Sequence, residues 1–422
     1  MAYEAALNAL DETLVTAAFI SLYGEKKQPK ERYMRLIRLH QETFNSKQPL
    51  SLLCAPGRAE LIGNHTDHNR GLVLAAAVNL DIAAAVTGRD DMKVHLYSQG
   101  YQPISLNLDN LDPALSESGT SASLIRGVAA GMLKRGLKIG GFDAVMSSDV
   151  LSGSGLSSSA AFEVLICAVL DALYNAFQID PLTRAKISQY AENVYFNKPS
   201  GLMDQMASSC GGIVAIDFKD DSPEVDNLHF SFAQASYALT IVNTGSSHDD
   251  LTNAYAEIPA DMISAAKALG GSLLRDSFYE QLLDSFSDVR QVAGDRAVLR
   301  AMHYYHENKR VQEAVRALKA MDIEGFFRRV NASGVSSWTL LQNIYINSRE
   351  QPVSLALARA QSILDGRGAC RVHGGGFAGT TLNFVPRDLS EEFRNGMEAL
   401  FGVGCCHVLD VRREGPVLLL TA

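Results

Sequence analysis

The stretch Gly153-Ser154-Gly155-Leu156-Ser157-Ser158-Ser159-Ala160-Ala161 stands between a β-type run, Phe142 to Val150, and a long apolar pattern, Ser157 to Phe177, that reads as a buried helix. A strand feeding a Gly/Ser loop and then a helix is a layout for a phosphate site. Glycines let the backbone approach a bulky anion, and a helix N-terminus offers unpaired N–H groups and the positive end of its dipole. Three hydroxyls can add donors or hold a metal. A Ser-rich cap on a core helix is the plainer use of such a segment, but it leaves the paired glycines unexplained. The ordinary P-loop pattern, G-x-x-x-x-G-K-[ST], occurs nowhere in the chain, so the cradle is of another kind.

Moving outward, Gly374-Gly375-Gly376-Phe377-Ala378-Gly379 formally satisfies G-x-G-x-x-G. The β-type run Thr380 to Val385 follows it where a dinucleotide site requires a helix, so a Rossmann site is rejected; a tight turn between strands is the other use of these glycines. Ala55 to His68, APGRAELIGNHTDH, is dense in side chains that grip hydroxyls and is expected to form a loop or short helix suited to a polyol. His65, Asp67 and His68 can also ligate a metal, although a closed structural site takes four ligands. Glu192 and Asp204 lie twelve residues apart across Pro199-Ser200-Gly201. One carboxylate can hold Mg²⁺ and the other can orient and deprotonate a hydroxyl, against the plain alternative of two solvated side chains.

At 422 residues, 47% of them hydrophobic and 20% charged, the chain has the length for two packed domains sharing a cleft. The formal charge of −9 offers no footprint for nucleic acid, so that partner is excluded. The cysteines lack metal spacing and read as core thiols of a reducing compartment. The first residues lack a basic region before an apolar one, and the apolar stretch Ala160 to Ile179 is broken by Glu163, Asp171, Asn175 and Gln178. A soluble cytoplasmic protein with no membrane partner is expected. The divisions read from pattern are a helical extension over 1–50, a first domain over 51–212 and a second over 213–422. The first contains a mainly antiparallel sheet interrupted by a loop from Pro56 to Asn69.

Together, in this order and spacing, the segments resemble the three motifs of the GHMP kinases and, more narrowly, the galactokinases. Ala55 to His68 is similar to the galactokinase signature, Leu156 to Ala161 to the phosphate loop ending L-S-S-S-A-A, Gly201 to Gln205 to the G-I-M-D-Q stretch, and the Gly374 cluster to the third motif. The resemblance implies an α+β, two-domain fold, with a ribosomal protein S5 domain 2-like first domain, a ferredoxin-like second one and the active site between them. It implies an ATP-dependent sugar 1-kinase acting on galactose, with ATP and Mg²⁺ as co-substrate and cofactor and the sugar and ATP as small-molecule partners.

Residue by residue, the resemblance makes Asp204 the base and Arg58 its partner. Gly153, Ser154, Gly155, Leu156, Ser157, Ser158 and Ser159 wrap the ATP phosphates, with Ser98 touching the nucleotide. Ser159 and Glu192 hold the metal, and Asn64, His65, Thr66, Asp67, Gly201 and Tyr255 line the sugar pocket. The chain departs from the family where Glu60 and Asn64 trade the usual amide and carboxylate and where His68 replaces Tyr. A free neutral amide at Asn64 would admit galacturonate, whereas a helical segment would pair Glu60 with Asn64 instead. N-acetylgalactosamine and a non-catalytic sugar and ATP sensor are the other readings.

Overall fold

Strands β1 (Leu50–Ile62) and β2 (Leu72–Gly88) are almost wholly buried, and period-two alternation explains why their sequences read as unbroken apolar runs. Leu52, Cys54, Ala83 and Ala85 face three N-terminal helices, Ala2–Ala9, Thr13–Tyr23 and Pro29–Phe44. Leu53, Ala55, Ala84 and Val86 face the opposite way, into a core shared with helices Ser121–Leu133 and Ser158–Tyr174. The N-terminal extension is therefore one covering layer of the sheet. It is pinned where buried Asp81 accepts from Tyr23 Oη at 2.7 Å and pairs with Arg32 at 2.6 Å and Arg412 at 2.7 Å.

The computed structural model describes residues 2–24, 29–150, 155–198, 200–245, 252–345, 347, 349–377 and 379–422. The remaining strands are β3 (Lys93–Ser98), β4 (Ile104–Asn107), β5 (Phe142–Ser148), β6 (Ile213–Asp217), β7 (Glu224–Leu228), β8 (Tyr237–Asn243), β9 (Ala369–Val372), β10 (Thr380–Pro386), β11 (Cys406–Leu409) and β12 (Val417–Thr421). The first sheet has the order β12-β1-β2-β5-β3-β4, with β6 on the other end of β2 and β7 beyond it. The second is antiparallel, β11-β8-β10-β9. One face of it packs Leu239, Ile241, Leu382 and Phe384 against Phe326 and Phe327, and the other packs Val242, Val372 and Val385 against helices Pro352–Leu364 and Ser390–Phe401. This is the expected α+β class with two sheets.

Two expectations are corrected. No loop begins at Pro56: β1 continues to Ile62, with register shifts against β2 between Pro56 and Arg58 and between Glu60 and Ile62. A proline lacks a ladder donor and is tolerated at such a bulge, and the same bulge re-aims the side chains that follow. The first sheet also does not stop at residue 212, because β6, β7 and β12 all belong to it. No single described helix is long and apolar enough to cross a membrane.

Candidate active site

The bulge in β1 turns Arg58 toward the helix Met203–Cys210, whose first turn carries Asp204. The guanidinium grips the carboxylate side-on, Nε to Oδ1 at 2.7 Å and Nη2 to Oδ2 at 2.7 Å, the fork geometry that suits arginine to this task. Its remaining Nη1 donates to the Gly155 carbonyl, and Ser157 Oγ donates to Asp204 Oδ2. Ser157 therefore does not spend its hydroxyl on capping the helix Ser158–Tyr174, and the N–H groups of that first turn stay available to an anion. Burial alone would raise the Asp204 pKa, but the charge and hydrogen bonds of Arg58, with Ser157 and Lys198, outweigh it and hold the carboxyl below its ordinary value. Arg58 keeps 6% side-chain exposure and Asp204 26%, so the carboxylate is the open member of the pair.

Beyond β1 the chain makes a tight turn through Gly63 to Thr66. Gly63 has φ +116°, and a methyl group there would lie 2.6 Å from Val73 Cα; His65 is also left-handed, at φ +57°. Thr66 Oγ1 closes the turn on the carbonyls of Gly63 and Leu72 at 2.9 and 2.7 Å. Asp67 lies so close to Gly201 that a methyl group at residue 201 would overlap its carboxylate. Burial first, and then the neighbouring Asp204, raises the Asp67 pKa. Tyr255 covers Gly375 in the same manner and donates to the Gly376 carbonyl at 2.9 Å.

Asn64 is buried, and its amide is committed to the protein. Nδ2 donates to Glu60 at 3.1 Å and to the Gly374 carbonyl at 2.7 Å, while Oδ1 accepts from Asn343 at 2.8 Å and Ser337 at 3.3 Å. The Glu60–Asn64 bond forms across a strand end and a turn, not along a helix. Glu60 in turn pairs with buried Arg371 at 2.8 Å. The free amide on which the uronic-acid reading rested is thus absent.

On the other side of Asp204, Ser159 Oγ donates to Glu192 Oε1 at 3.2 Å. Glu192 sits in a π-helical turn, Ala191–Tyr195, a local widening often found at functional sites. Its carboxylate also takes Lys198 at 2.8 Å, Ser200 at 2.6 Å and Gln205 at 2.8 Å. Fully buried Glu163 shares Gln205; burial and then Glu192 push its pKa well above its ordinary value.

The structure brings Arg58, Asp204, Gly155 and Ser157 into one cluster, His65, Asp67, Gly201 and Tyr255 into a second beside it, and Ser159 with Glu192 into a third. Gly153 and Ser154 lie outside the described residues. Ser98 ends β3 opposite Met146 and has no hydrogen bond to the Arg58–Asp204 pair among the described residues. Leu156 is buried, its carbonyl taking the Arg58 N–H at 3.2 Å. Sequence reasoning missed the residues that hold the signature turn from the helix Asp295–Lys319. Glu307 accepts from the backbone of Gly63 and Asn64, His303 Nε2 donates to the Asn64 carbonyl at 2.9 Å, and Asn308 accepts from Leu72 N–H at 2.7 Å. The available signal was polar residues at Arg300, His303 and Glu307, spaced so as to share one helix face.

Comparison with known proteins shows which proteins the chain resembles. A family model described as the GHMP kinases N terminal domain matches residues 123–212, and one described as the galactokinase galactose-binding signature matches residues 38–87. Among solved structures, a Lactococcus lactis galactokinase complexed with galactose superposes with a TM-score of 0.80 at 24% identity, covering 92% of this chain and 100% of that one. A Methanococcus jannaschii mevalonate kinase reaches 0.61 at 14%, covering 85% and 98%. The fold and the match to the GHMP kinases N terminal domain place the chain among the GHMP kinases. A Streptomyces coelicolor galactokinase is 32% identical over 346 residues, 80% of this chain and 85% of that one, and a Limosilactobacillus fermentum galactokinase is 30% identical over 366 residues, 86% and 92%. The chain belongs to the galactokinase family of sugar kinases.

Proposed function

We propose that this chain transfers the γ-phosphoryl group of ATP to the anomeric hydroxyl of galactose, giving galactose 1-phosphate and ADP. The observation that carries the reading is the forked Arg58–Asp204 pair set against Gly155 and Ser157 at a helix N-terminus. Phosphoryl transfer asks a protein mainly for positioning and for charge stabilisation along an in-line path. The ATP phosphates rest on the Gly153 to Ser159 turn, and the sugar lies over Asp67, Gly201, His65 and Tyr255. Asp204 accepts a hydrogen bond from the anomeric hydroxyl and aligns its oxygen on the γ-phosphorus. As the new oxygen–phosphorus bond forms and the bond to the β-phosphate breaks, the proton passes to Asp204. A carboxylate held below its ordinary pKa is a weak base, so that proton leaves late. Arg58 and the free N–H groups of the helix face the charge spread over the transferred group.

Ser159 and Glu192 are hard oxygen donors in hydrogen-bond contact, a set that fits Mg²⁺, which takes few protein ligands and completes its shell with phosphate and water. Bound there, the metal would supply neutralisation of phosphate charge. The setting proposed for this chemistry is the cytoplasm. A coupled ADP-release assay over galactose, galacturonate and N-acetylgalactosamine tests the reading. ADP formation dependent on galactose is expected, and no ADP with any sugar would leave a binding protein that senses sugar and ATP.

A further inference from the structure

His68 and His65 belong to a hydrogen-bonded chain whose direction can be derived from both ends. At one end, Asn69 Oδ1 accepts the backbone N–H of Leu274 at 3.2 Å, which fixes the orientation of the amide and makes Nδ2 the donor. That Nδ2 lies 3.2 Å from His68 Nδ1, so His68 Nδ1 is an acceptor and its proton sits on Nε2. His68 Nε2 lies 3.2 Å from His65 Nδ1, which must then accept. The proton of His65 is left on Nε2, 3.0 Å from the Gly375 carbonyl, a group that can only accept. Starting from Gly375 instead gives the same assignment in reverse. Both rings are neutral in this scheme, in keeping with burial, which pushes His65 down to about 3 and His68 down to about 4.

The chain starts at Leu274 and ends at Gly375, both on the C-terminal side of the molecule, and crosses the signature turn between them. Gly375 O also takes Asn343 Nδ2 at 3.0 Å, and the Tyr255 ring covers Gly375. Whatever orients the His65 ring thereby ties the turn to the Gly374 to Phe377 segment. His65 carries a left-handed backbone, at φ +57°, a conformation uncommon outside glycine.

We propose that His68 is a positioning residue of the sugar site, its Nε2–H holding His65 as the Nε2–H tautomer and so locking the signature turn onto the third glycine segment. This rests on the reading that the turn lines the sugar pocket. His68→Leu removes the donor, and His68→Gln can present a carbonyl to Asn69 and an N–H to His65.

The test is ¹⁵N NMR of histidine-labelled protein at neutral pH, with His65 assigned through His65→Gln, alongside steady-state kinetics. In the wild type, His65 is expected to show an unprotonated Nδ1 and a protonated Nε2. His68→Leu is expected to disturb that pattern and raise the galactose KM about tenfold, with the ATP KM nearly unchanged. His68→Gln is expected to restore both. A His65 protonated on Nδ1 in the wild type overturns the proposal, and so does a His68→Leu protein with unaltered His65 nitrogens and galactose KM. Should His68→Leu not fold, the wild-type spectrum still decides. Absence of any sugar-dependent ADP release would count against the kinase reading alone, because the tautomer measurement needs no turnover.

Discussion

Glu307 Oε1 receives the backbone N–H of Gly63 at 3.0 Å, so a fully buried carboxylate from the helix Asp295–Lys319 shapes the turn from Gly63 to Thr66. The same side chain takes Ser333 Oγ at 2.5 Å and Arg310 Nε at 2.7 Å. Removing one partner of a buried, hydrogen-bonded charge pair costs about 3–5 kcal/mol, which is the loss expected for Glu307→Ala in urea unfolding. Glu307→Gln keeps an acceptor for the two N–H groups and is expected to lose less than half as much. Equal losses in the two variants would mean that charge, not the backbone bonds, is what matters.

Gly201 is required by contact. A methyl group there would overlap the Asp67 carboxylate, which ends a flexible side chain and can swing away without breaking the core. Gly201→Ala is therefore expected to stay within about 1 kcal/mol of wild-type stability while raising the galactose KM at least about tenfold, the cost of about one displaced hydrogen-bonding group. Calorimetric titration of galactose into the variant checks it; unchanged affinity would remove Asp67 from the pocket.

Acid should destabilise the protein through its buried imidazoles. Burial pushes His303 down to about 4, with Glu307 opposing and nearby arginines adding to the fall. Between 6.5 and about 4 the unfolded chain binds a proton that the folded chain refuses, so this contribution is complete above pH 6.5 and is lost as pH falls toward 4. His65 and His68 act in the same direction. Glu307 is buried too, but Arg310, His303 and Arg371 hold it down to about 2; its contribution is complete above 4.5 and fades as pH falls toward 2. Urea midpoints should drop between pH 7 and 5. The slope should be shallower in His303→Gln, by up to ~1.4 kcal/mol per pH unit. An equal slope in that variant would contradict the assignment of His303 as neutral.

The parts of the site that were legible in the sequence are those built from local pattern. Serines after a strand, a glycine cluster before β10 and the Gly201 to Gln205 stretch announce themselves through spacing. The bulges in β1 were not legible, because Pro56 signals a break by itself and only the partner strand reveals that the ladder resumes. The closing of the first sheet by β12 was hidden for a similar reason: Leu53 pairs with Leu418, far apart in sequence. The choice between the two readings of Asn64 was hidden because its other neighbours, Gly374, Asn343 and Ser337, come from remote segments. Glu307 and His303 gave no local signal beyond their spacing, because the turn they hold lies more than two hundred residues away in sequence.

In the proposed reaction Asp204 takes the proton of the anomeric hydroxyl while Arg58 holds it charged. Asp204→Asn preserves the shape of the side chain and removes its basicity, so ADP release with galactose and sugar affinity should separate. The prediction is a fall in kcat of at least about 10²-fold with the galactose Kd within a few-fold of wild type. Turnover within about tenfold of wild type in that variant would contradict the account.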